Sequence, residues 1–380
     1  MKNPKSILFN GLASMWRITR GLVNLIKLPF NKGLYSSESY FPELASQRKS
    51  RLRIFMDQCK HILRCSAPEK FYFLYGFDIK GLRNQEEYVD AFYEFSVTRD
   101  RLNKAADSPY IVLRDKSLFG IVAEAYGINT PHNLGIIRNG CFYDYSNKET
   151  FPLNHFSQLP FSPNDIEKKE KHLFIKMIDG ECANGVYSVI IKDEAVFYKG
   201  KQINPDSFFE KKKRYLVQEA IPNQHTALSA LHSHAINTVR LCTVYNKQTD
   251  KIEVFSCVLR VGTGFNNVDN WAAGGLSIGI DTDKCSMREY GFYKPGFGTK
   301  TTEHPDSHIV FKDYRIPYLT EAVNQAKEFH HRLYGIHSIG WDIAITENGP
   351  CFIEGNDNWE ISLMQISNHG LKKEFDQLFH

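Results

Sequence analysis

The chain of 380 residues lacks the features that mark several large classes of protein. No stretch approaches the roughly 18–20 uncharged apolar residues that a membrane-spanning helix needs, which argues against an integral membrane protein. Internal repeats and low-complexity segments are also missing, and the ordinary hydrophobic and charged content excludes a disordered protein, a collagen-like repeat and a coiled coil. The eight cysteines have no C-x-x-C or other metal-ligand spacing. They are therefore predicted to be free thiols of the reducing cytoplasm, without a disulfide framework or a cysteine-based zinc site.

The composition is typical of a globular protein, but the charge is distributed unevenly along the chain. Hydrophobic residues make up 42% and charged residues 24% of the chain, and at about 100–200 residues per domain the length predicts two or three domains. Residues 1–70 hold 13 Lys and Arg against four acids, a balance of +9, whereas the rest of the chain has a balance of −5. The basic N-terminal region is predicted to meet something anionic, although nothing indicates nucleic acid.

Two segments of this basic region have helical periodicity. Residues 7–30 form an amphipathic helix that either lies in an anionic membrane surface or packs on the protein body. Residues 48–65 form a second basic helix, which either binds phosphate polymers or exposes a solvated face. The periodic apolar positions of the first segment are Ile7, Leu8, Leu12, Met15, Trp16, Ile18, Leu22, Leu25, Ile26 and Phe30, and its basic residues are Arg17, Arg20, Lys27 and Lys32.

From about residue 90 the sequence predicts an α+β fold rich in antiparallel hairpins. Helices are predicted over 90–107 and 114–127, and another over 316–335 with Pro317 near its start and Gly335 past its end. Strand-like runs dominate between residues 171 and 261 and return at 340–346. Because no βα unit repeats, a Rossmann fold and a TIM barrel are poor fits.

The sharpest local motif is GWDIAITENGPCFIEGNDNWE, residues 340–360. Two strands are predicted to flank a three-residue turn, residues 347–349. With that turn, Asp342 lies opposite Glu354, and Asn356 lies on the same face two residues further on. Two carboxylates and an amide oxygen on one face suit a Mg²⁺ ion that bridges nucleotide phosphates, although an ordinary hairpin with solvent-facing acids has the same pattern. The other face, toward a core, is predicted to hold Trp341, Ile343, Ile345, Cys351 and Ile353.

A second motif joins a lysine to a glycine-containing loop. Residues 173–192 read as a strand with the single lysine Lys176, a loop with Gly180 and Gly185, and another strand. Backbone N–H groups of such a loop can bind polyphosphate, and the lysine supplies positive charge. The motif is not a Walker loop, and an ordinary hairpin can carry the same residues.

The third motif is a pair of arginine-bearing strands. Arg240 lies in INTVRLCTV, and Arg260 precedes a segment with an acid, an amide and two adjacent glycines. Strands of this kind can collect anionic oxygens, although surface arginines on strands are also common. The residues after Arg260 are Asp269, Asn270, Gly274 and Gly275.

In this order, from about Asp115 to Trp359, the motifs resemble the ATP-grasp superfamily, and within it the sugar-transfer-associated branch encoded with bacterial polysaccharide genes. The resemblance implies two α+β lobes that clasp ATP, preceded by a basic, mainly helical region. The regions would be 1–90, 91–222 for the nucleotide-binding lobe with its glycine-loop lid, and 223–380 for the lobe with the metal-binding hairpin.

The resemblance also implies roles for individual residues. Mg²⁺ would be bound by Asp342, Glu354 and Asn356, and Arg240 and Arg260 would be catalytic. The ATP-binding residues would be Lys116, Lys176, Gly180, Gly185, the adenine hinge Gln218, Glu219, Ala220 and Ile221, and Asp269, Asn270, Gly274 and Gly275.

The implied activity is that of an ADP-forming carboxylate–amine ligase that works through an acyl phosphate in surface polysaccharide or capsule biosynthesis. Its substrates would be a small carboxylate and an amine or sugar. The alternatives are a phosphotransferase acting on a sugar hydroxyl and a non-catalytic nucleotide-binding subunit. Where many members of the superfamily have an acid after the hinge, this chain has His225, whose role stays open. His232 and His234 could bind a metal, but without a third ligand nearby they are predicted to be ordinary hydrogen-bonded histidines.

Overall fold

The computed structural model describes residues 4–90, 93–94, 97–104, 108–161, 163–180, 185–221, 223–265 and 269–379. The predicted helix over 90–107 lies partly outside these ranges, and its described end forms a π-helical turn at Thr98–Asn103. The described α-helices are α1 Pro4–Lys27, α2 Gly33–Ser36, α3 Arg51–Cys65, α4 Ile111–Arg114, α5 Lys116–Ala125, α6 Pro163–Lys168, α7 Pro205–Phe208, α8 Thr226–Leu231, α9 Leu319–Arg332, α10 Ile361–Ser367 and α11 Lys372–Phe379.

Two of the longer helices, α3 and α5, begin where the sequence supplies a cap. Ser50 accepts a hydrogen bond from the backbone N–H of Arg53 at the start of α3, and Asp115 accepts from Ser117 and Leu118 at the start of α5. Such side-chain caps satisfy N–H groups that have no partner within the helix. Helix α9 instead begins after Tyr318 in a left-handed conformation.

The first sheet has eight antiparallel strands in the order β3-β2-β1-β8-β4-β5-β6-β7. Its central strand β8 pairs with both β1 and β4 and carries the predicted hinge at its end. The strands are β1 Asn133–Arg138, β2 Cys141–Asp144, β3 Thr150–Pro152, β4 Lys171–Met177, β5 Val186–Lys192, β6 Ala195–Tyr198, β7 Lys201–Ile203 and β8 Arg214–Glu219.

The second sheet has seven antiparallel strands in the order β13-β12-β11-β10-β9-β14-β15. Four neighbouring strands, β10, β9, β14 and β15, carry the two predicted catalytic arginines and the predicted metal ligands. The strands are β9 Thr238–Asn246, β10 Lys251–Val261, β11 Leu276–Asp281, β12 Ser286–Tyr293, β13 Lys300–Thr301, β14 Ser338–Thr346 and β15 Gly349–Asn356.

Both faces of the second sheet are covered. Alternate residues of β9, such as Val239 and Leu241, join one core with α5 and α9, whereas Val244 joins a core on the other face with the N-terminal region and α10. This second core contains Tyr72 and Trp359, both fully buried. The N-terminal region is thus part of the same packed structure as the second sheet.

Within residues 15–27, helix α1 contacts the rest of the protein through side chains near Gly21 and Asn24. Gly21 lies against the end of α3, Asn24 donates a hydrogen bond to the carbonyl of Ser66 (2.8 Å), and Leu28 just beyond the helix is buried. The apolar side of the helix, including Ile18 and Ile26 at 65% and 70% exposure, faces solvent. In residues 15–27 the apolar stripe is therefore not the packed face, and the side chains of Ile7, Leu8 and Leu12 lie outside the described part. No helix within the described ranges has the length and apolar content to cross a membrane.

Candidate active site

Three charged side chains form a row across adjacent strands of the second sheet. Arg240 on β9 pairs in register with Asp342 on β14, which pairs in register with Glu354 on β15. Residues directly opposite each other on antiparallel strands project from the same face with their Cβ atoms about 5 Å apart. The strand register therefore brings Asp342 and Glu354 together, as the sequence predicted.

The centre of this row is a buried ion-pair network around Asp342. Arg240 donates from Nε to Oδ1 (2.5 Å) and from Nη2 to Oδ2 (3.0 Å), and Nη2 of Arg260 lies 3.1 Å from Oδ2. Burial by itself would raise the pKa of Asp342, but the charges of Arg240 and Arg260 bring it below its ordinary value. Asp342 therefore carries a negative charge that two guanidinium groups balance.

Arg260 is held by a second set of partners. Its Nε and Nη2 donate to the hydroxyl of Thr238 (3.0 and 2.8 Å), and its Nε lies 3.5 Å from Oδ2 of Asp269. Asp269 in turn accepts hydrogen bonds from the backbone N–H (3.0 Å) and the hydroxyl of Thr238. Burial raises the pKa of Asp269, although the charge of Arg260 opposes this. The sequence assigns Thr238 no role of its own, but its place two residues before Arg240 puts it on the same face.

The hairpin that carries the predicted metal ligands differs from the sequence prediction. Thr346 pairs with Gly349, so the turn has two residues, and a bulge at Ile353 restores the register before Asp342 and Glu354. A β-bulge adds one residue to one strand only, which offsets the shorter turn. The prediction for the core face was consequently wrong at two positions. Phe352 joins the core, while Cys351 lies on the Asp342 face and Ile353 sits in the bulge.

Glu354 and Asn356 extend the Asp342 face toward the open side of the sheet. The amide nitrogen of Asn356 donates to the carbonyl of Gly340 (3.2 Å) and lies 3.5 Å from Oε1 of Glu354. Because the amide nitrogen is turned toward the strand, the amide oxygen is presented as an acceptor. Two carboxylates and one amide oxygen are a donor set that fits Mg²⁺, which prefers hard oxygen ligands.

Lys116 at the first position of α5 links the two sheets. Its ammonium donates to the carbonyl of Gly180 in the glycine-containing loop (2.6 Å) and lies 4.0 Å from Oε2 of Glu354. The side chain is 17% exposed. The structure thus brings Lys116, Gly180 and Glu354 together although they lie far apart in the sequence.

Lys176 lies near the end of β4, before the glycine-containing loop. Burial lowers the pKa of Lys176, and the charge of Glu354 opposes this while that of Lys116 adds to it. Gly185, at the far end of this loop, has a φ of +73°. A Cβ at this position would lie 2.7 Å from Cβ of Met177, so a residue with a side chain would be strained there. Residues 181–184 of the predicted lid lie outside the described part of the chain.

The predicted hinge lies at the end of β8. The N–H groups of Glu219 and Ala220 donate to the carbonyls of His132 and His172 (3.0 and 3.1 Å), and Ile221 follows. Gln218 donates from Nε2 to Asn133 (2.7 Å), while its buried amide oxygen has no hydrogen-bond partner within the described residues.

The carboxylate of Glu219 is paired with a lysine that sequence reasoning missed. Nζ of Lys171 lies 3.2 Å from Oε1 of Glu219 and 3.1 Å from Oδ2 of Asp165. Lys171 opens β4, and its side chain is only 3% exposed. This lysine fixes the side chain of the hinge acid.

The glycine pair after Arg260 has a role in the backbone. Asn270 accepts from the N–H of Ala272 (2.9 Å), and Gly274 adopts φ of +97°. A Cβ on Gly275 would lie 2.6 Å from the carbonyl oxygen of Asp269. These three residues turn the chain into β11 and thereby direct Asp269 at Arg260, but no contact described here joins them to the row on β9, β14 and β15.

The histidines whose roles were open have structural partners. Nδ1 of His225 accepts from the N–H of Ala227 at the start of α8 (3.1 Å), and its Nε2 lies 3.7 Å from Glu347. His232 bonds through Nε2 to the carbonyl of Gly264 (2.9 Å). Within the described residues His232 and His234 belong to no group of three metal-ligating side chains.

The comparisons with known proteins agree with this architecture. Residues 99–378 match the family described as sugar-transfer associated ATP-grasp. A search of curated proteins finds no match.

Solved structures show only distant likeness. D-alanine–D-alanine ligase of Bacillus anthracis with ATP is 12% identical, over 70% of this chain and 66% of that one, with a TM-score of 0.35. The corresponding ligase of Helicobacter pylori is 15% identical, over 70% and 58%, with a TM-score of 0.37. N5-carboxyaminoimidazole ribonucleotide synthetase of Thermotoga maritima is 12% identical, over 71% and 49%, with a TM-score of 0.33. This chain thus spans less than two thirds of the length of each of these proteins.

The family assignment rests on the sequence match, which covers most of the chain, together with the two antiparallel sheets and the helical N-terminal region. This protein has the ATP-grasp fold and belongs to the sugar-transfer associated ATP-grasp family.

Proposed function

We propose that this protein is an ATP- and Mg²⁺-dependent carboxylate–amine ligase that works through an acyl phosphate. Its product would be an amide between an amino acid or similar group and a sugar or sugar precursor of a bacterial surface polysaccharide, such as a capsule. The observation that carries the proposal is the row Arg240–Asp342–Glu354, with Lys116 of α5 reaching within 4.0 Å of Glu354. Membership of an ATP-grasp family supports the use of ATP.

The oxygens of Asp342, Glu354 and Asn356 would hold Mg²⁺. The metal would neutralise charge on the nucleotide phosphates, which a phosphoryl transfer requires. The protein's own contribution is to hold both carboxylates in register and to keep Asp342 ionised. The paired guanidinium groups do this at Asp342, since they keep its pKa low.

Two lysines and the hinge would hold ATP. Lys176 and Lys116 supply positive charge beside Glu354, where the phosphates would meet the metal. At the hinge, the unpartnered amide oxygen of Gln218 is suited to accept a hydrogen bond from the exocyclic amine of adenine. The division into regions 1–90, 91–222 and 223–380 belongs to the same proposal.

Arg240 and Arg260 would stabilise the charge that develops on the transferred phosphoryl group. A guanidinium has five N–H donors, and the contacts with Asp342 and Thr238 use only Nε and Nη2 of each arginine. The two Nη1 groups are therefore left for an anionic ligand within the described contacts. Donors fixed before the reaction stabilise developing charge without reorganisation.

The test is to incubate the purified full-length protein with ATP, Mg²⁺ and a panel of amino acids and uronic-acid sugars. We expect ADP to form only when a carboxylate and an amine are both present, together with a product whose mass is that of both substrates less water. A phosphorylated sugar would instead support a phosphotransferase, and AMP would contradict both reactions. Binding of ATP without turnover on any substrate pair would favour a non-catalytic nucleotide-binding subunit.

The exposed helix α1 supports a peripheral location of the protein at the inner face of the cell membrane. Its outward apolar side chains, with Trp16 beside Arg20 (5.1 Å from the ring centre to Cζ), match the interfacial pattern of apolar contact combined with basic residues. Each basic residue near an anionic bilayer contributes about 1 kcal/mol. The basic residues and the exposed apolar side chains together favour reversible binding, without insertion across the bilayer. The apolar side chains exposed in this segment are Met15, Trp16, Ile18, Leu22, Val23, Ile26 and Phe30.

The membrane proposal is tested by sedimentation with anionic and neutral liposomes. We expect binding to the anionic liposomes only, and release by roughly 0.5 M salt, at which surface charges are screened over a few ångströms. The triple variant Ile18→Ser, Leu22→Ser, Ile26→Ser should lose binding and keep its fold, because all three side chains are more than half exposed. Ile166→Ser, at 64% exposure elsewhere, is the matched control and should bind as the wild type does. Equal binding of the triple variant would contradict the proposal.

A further inference from the structure

Outside the candidate active site, the N-terminal region gathers four side chains that commonly bind metals. His61 and Cys65 lie one turn apart on α3, Glu69 follows the left-handed residue Ser66 that ends this helix, and Asp90 comes from a segment beyond the 3-10 turn Gln85–Glu87. The ligand atoms of His61, Cys65 and Asp90 all lie within 4.8 Å of one another.

The donor atoms converge on the ring nitrogen Nε2 of His61. Oδ2 of Asp90 lies 3.4 Å and Oε2 of Glu69 lies 3.8 Å from this nitrogen. In a tetrahedral zinc site with bonds of about 2.0–2.3 Å, neighbouring ligand atoms are roughly 3.3–3.8 Å apart. The distances from Nε2 to the two oxygens match this spacing. Sγ of Cys65 lies within 4.8 Å of the ligand atoms of His61 and Asp90.

The second carboxylate oxygen of each acid accepts a hydrogen bond from a backbone N–H group. Oε1 of Glu69 accepts from the N–H of Phe71 (3.0 Å), and Oδ1 of Asp90 accepts from the N–H of Tyr93 (2.9 Å). These bonds hold the carboxylates so that the other oxygen of each is directed at His61. His61 and Glu69 are also buried, at 3% and 6% exposure.

The charges around this cluster are mixed. Oxygens of the two acids lie 3.4 and 3.8 Å from Nε2 of His61, while Nη2 of Arg64 lies 3.4 Å from its Nδ1. A divalent cation would bring the positive charge that offsets the two carboxylates and a Cys65 thiolate.

We propose that His61, Cys65, Glu69 and Asp90 form a structural Zn²⁺ site. Nε2, Sγ and one oxygen of each acid bind the ion, and the protons of His61 and Cys65 leave to solvent. The other ring nitrogen of His61 lies 3.2 Å from the side-chain amide of Gln85. With the amide turned, its oxygen accepts the Nδ1–H, which is the outer partner that a metal-bound histidine needs.

The consequence of such a site is a link between α3 and the C-terminal part of the chain. The residue before Asp90, Val89, is held on both sides by Gln365 of α10, which accepts from its N–H (2.8 Å) and donates to its carbonyl (3.0 Å). Helix α10 follows the hairpin that carries Glu354. A zinc ion would therefore connect the basic region to the element next to the candidate active site, which makes it a staple in the sense of other structural metal sites.

The experiment uses the full-length protein freed of metal by a chelator and then titrated with Zn²⁺ or Co²⁺. We expect about one ion per chain with tetrahedral geometry, a sulfur-to-cobalt charge-transfer absorption in the near ultraviolet, and a melting temperature that rises with Zn²⁺. Cys65→Ser should lose the charge-transfer band and bind at least about tenfold more weakly, as expected for loss of one ligand. Cys59→Ser, on the same helix and also half-buried, is the matched control and should behave as the wild type does.

Two results would overturn the proposal. The first is metal-free protein that takes up no Zn²⁺ or Co²⁺ above the level of nonspecific binding. The second is a charge-transfer band that survives in Cys65→Ser or disappears in Cys59→Ser. His61→Asn provides an independent check, and circular dichroism shows whether it has folded. If it has not, the Cys65→Ser spectra decide alone, because they require only a folded protein.

Discussion

Two buried polar clusters of this protein balance their charges in opposite ways. In the strand cluster of Arg240, Arg260, Asp269 and Asp342, cations and carboxylates are equal in number, and each carboxylate has a guanidinium within 3.5 Å. In the helix cluster of His61, Cys65, Glu69 and Asp90, two carboxylates share one imidazole.

The difference has consequences for what each cluster can do. Removing one partner from a balanced network lowers the stability of the fold strongly, because the charge left behind stays buried. A cluster whose acids face an imidazole instead of a guanidinium can gain from an added metal ion. The strand cluster is therefore built to hold fixed positive donors in place, and the helix cluster is built to accept positive charge.

The largest effect is expected from breaking the balance of the strand cluster. Asp342→Asn leaves Arg240 and Arg260 without their shared carboxylate, and we expect the free energy of unfolding to fall by about 3–5 kcal/mol. Asp90→Asn in the helix cluster removes one of two acids that face the same imidazole, and we expect a loss of about 1 kcal/mol or less. Urea unfolding of the metal-free proteins measures both. Equal losses would show that the two clusters do not differ in charge balance.

The next effect concerns chemistry and leaves the fold unchanged. Glu354→Gln keeps the shape of the side chain and removes one charge from the proposed Mg²⁺ site. We expect turnover to fall by at least about 100-fold, as for loss of a main electrostatic stabiliser. Glu347→Gln, at the turn of the same hairpin, is the control for a lost charge, since its carboxylate contacts only the start of α8 in the contacts described here. Unchanged turnover in Glu354→Gln would remove this residue from the site.

The strand cluster could be predicted from the sequence because strand geometry is periodic. Side chains alternate between faces, so one hairpin and the position of an arginine on the next strand define a common face. The placement of Asp342 opposite Glu354 was right even though the turn was not. A three-residue turn and a two-residue turn with a bulge at Ile353 give the same register at those two residues. The bulge has no clear signal in the sequence, and it moved Cys351 to the other face.

The helix cluster and the contact of Lys116 with Gly180 could not be predicted in the same way. They depend on how separate elements pack, and no local period relates residue 61 to residue 90 or residue 116 to residue 180. The exposure of the α1 stripe has the same origin. Amphipathic spacing shows that one face is apolar, but only the packing on α3 shows that the contact is made by Gly21 and Asn24.

Another buried imidazole, whose described hydrogen-bond partners include no acid, gives a pH test of the role of neighbouring acids. His330 on α9 bonds to the hydroxyl of Thr243 (2.8 Å) and the carbonyl of Ile336 (3.0 Å), and burial lowers its pKa to about 4. The unfolded chain binds this proton at about pH 6.5, so the folded state loses stability as pH falls from 6.5 toward 4. We expect a loss of about 2 kcal/mol from this residue between pH 7 and pH 4.5.

The measurement is the free energy of unfolding across that range for the wild type and for His330→Gln, which keeps polar atoms but does not titrate. The variant should be less stable at neutral pH and should lose less stability on acidification. An unchanged slope would mean that His330 does not set the acid sensitivity. His337, whose pKa burial also lowers to about 4, would then be the residue to replace.

The smallest effect is expected at Lys176, which is influenced by the charge of Glu354 and is proposed to contact the phosphates of ATP. Lys176→Met keeps the aliphatic stem and removes the ammonium, so we expect ATP affinity to fall about tenfold, the loss of one charge-assisted contact. Because burial lowers the pKa of Lys176, the wild type should bind ATP less well as pH rises through that lowered value, and the variant should not show this change. Calorimetry with ATP and with adenosine separates the causes. Adenosine has no phosphate, so an equal weakening for both ligands would indicate a damaged pocket and contradict a phosphate contact.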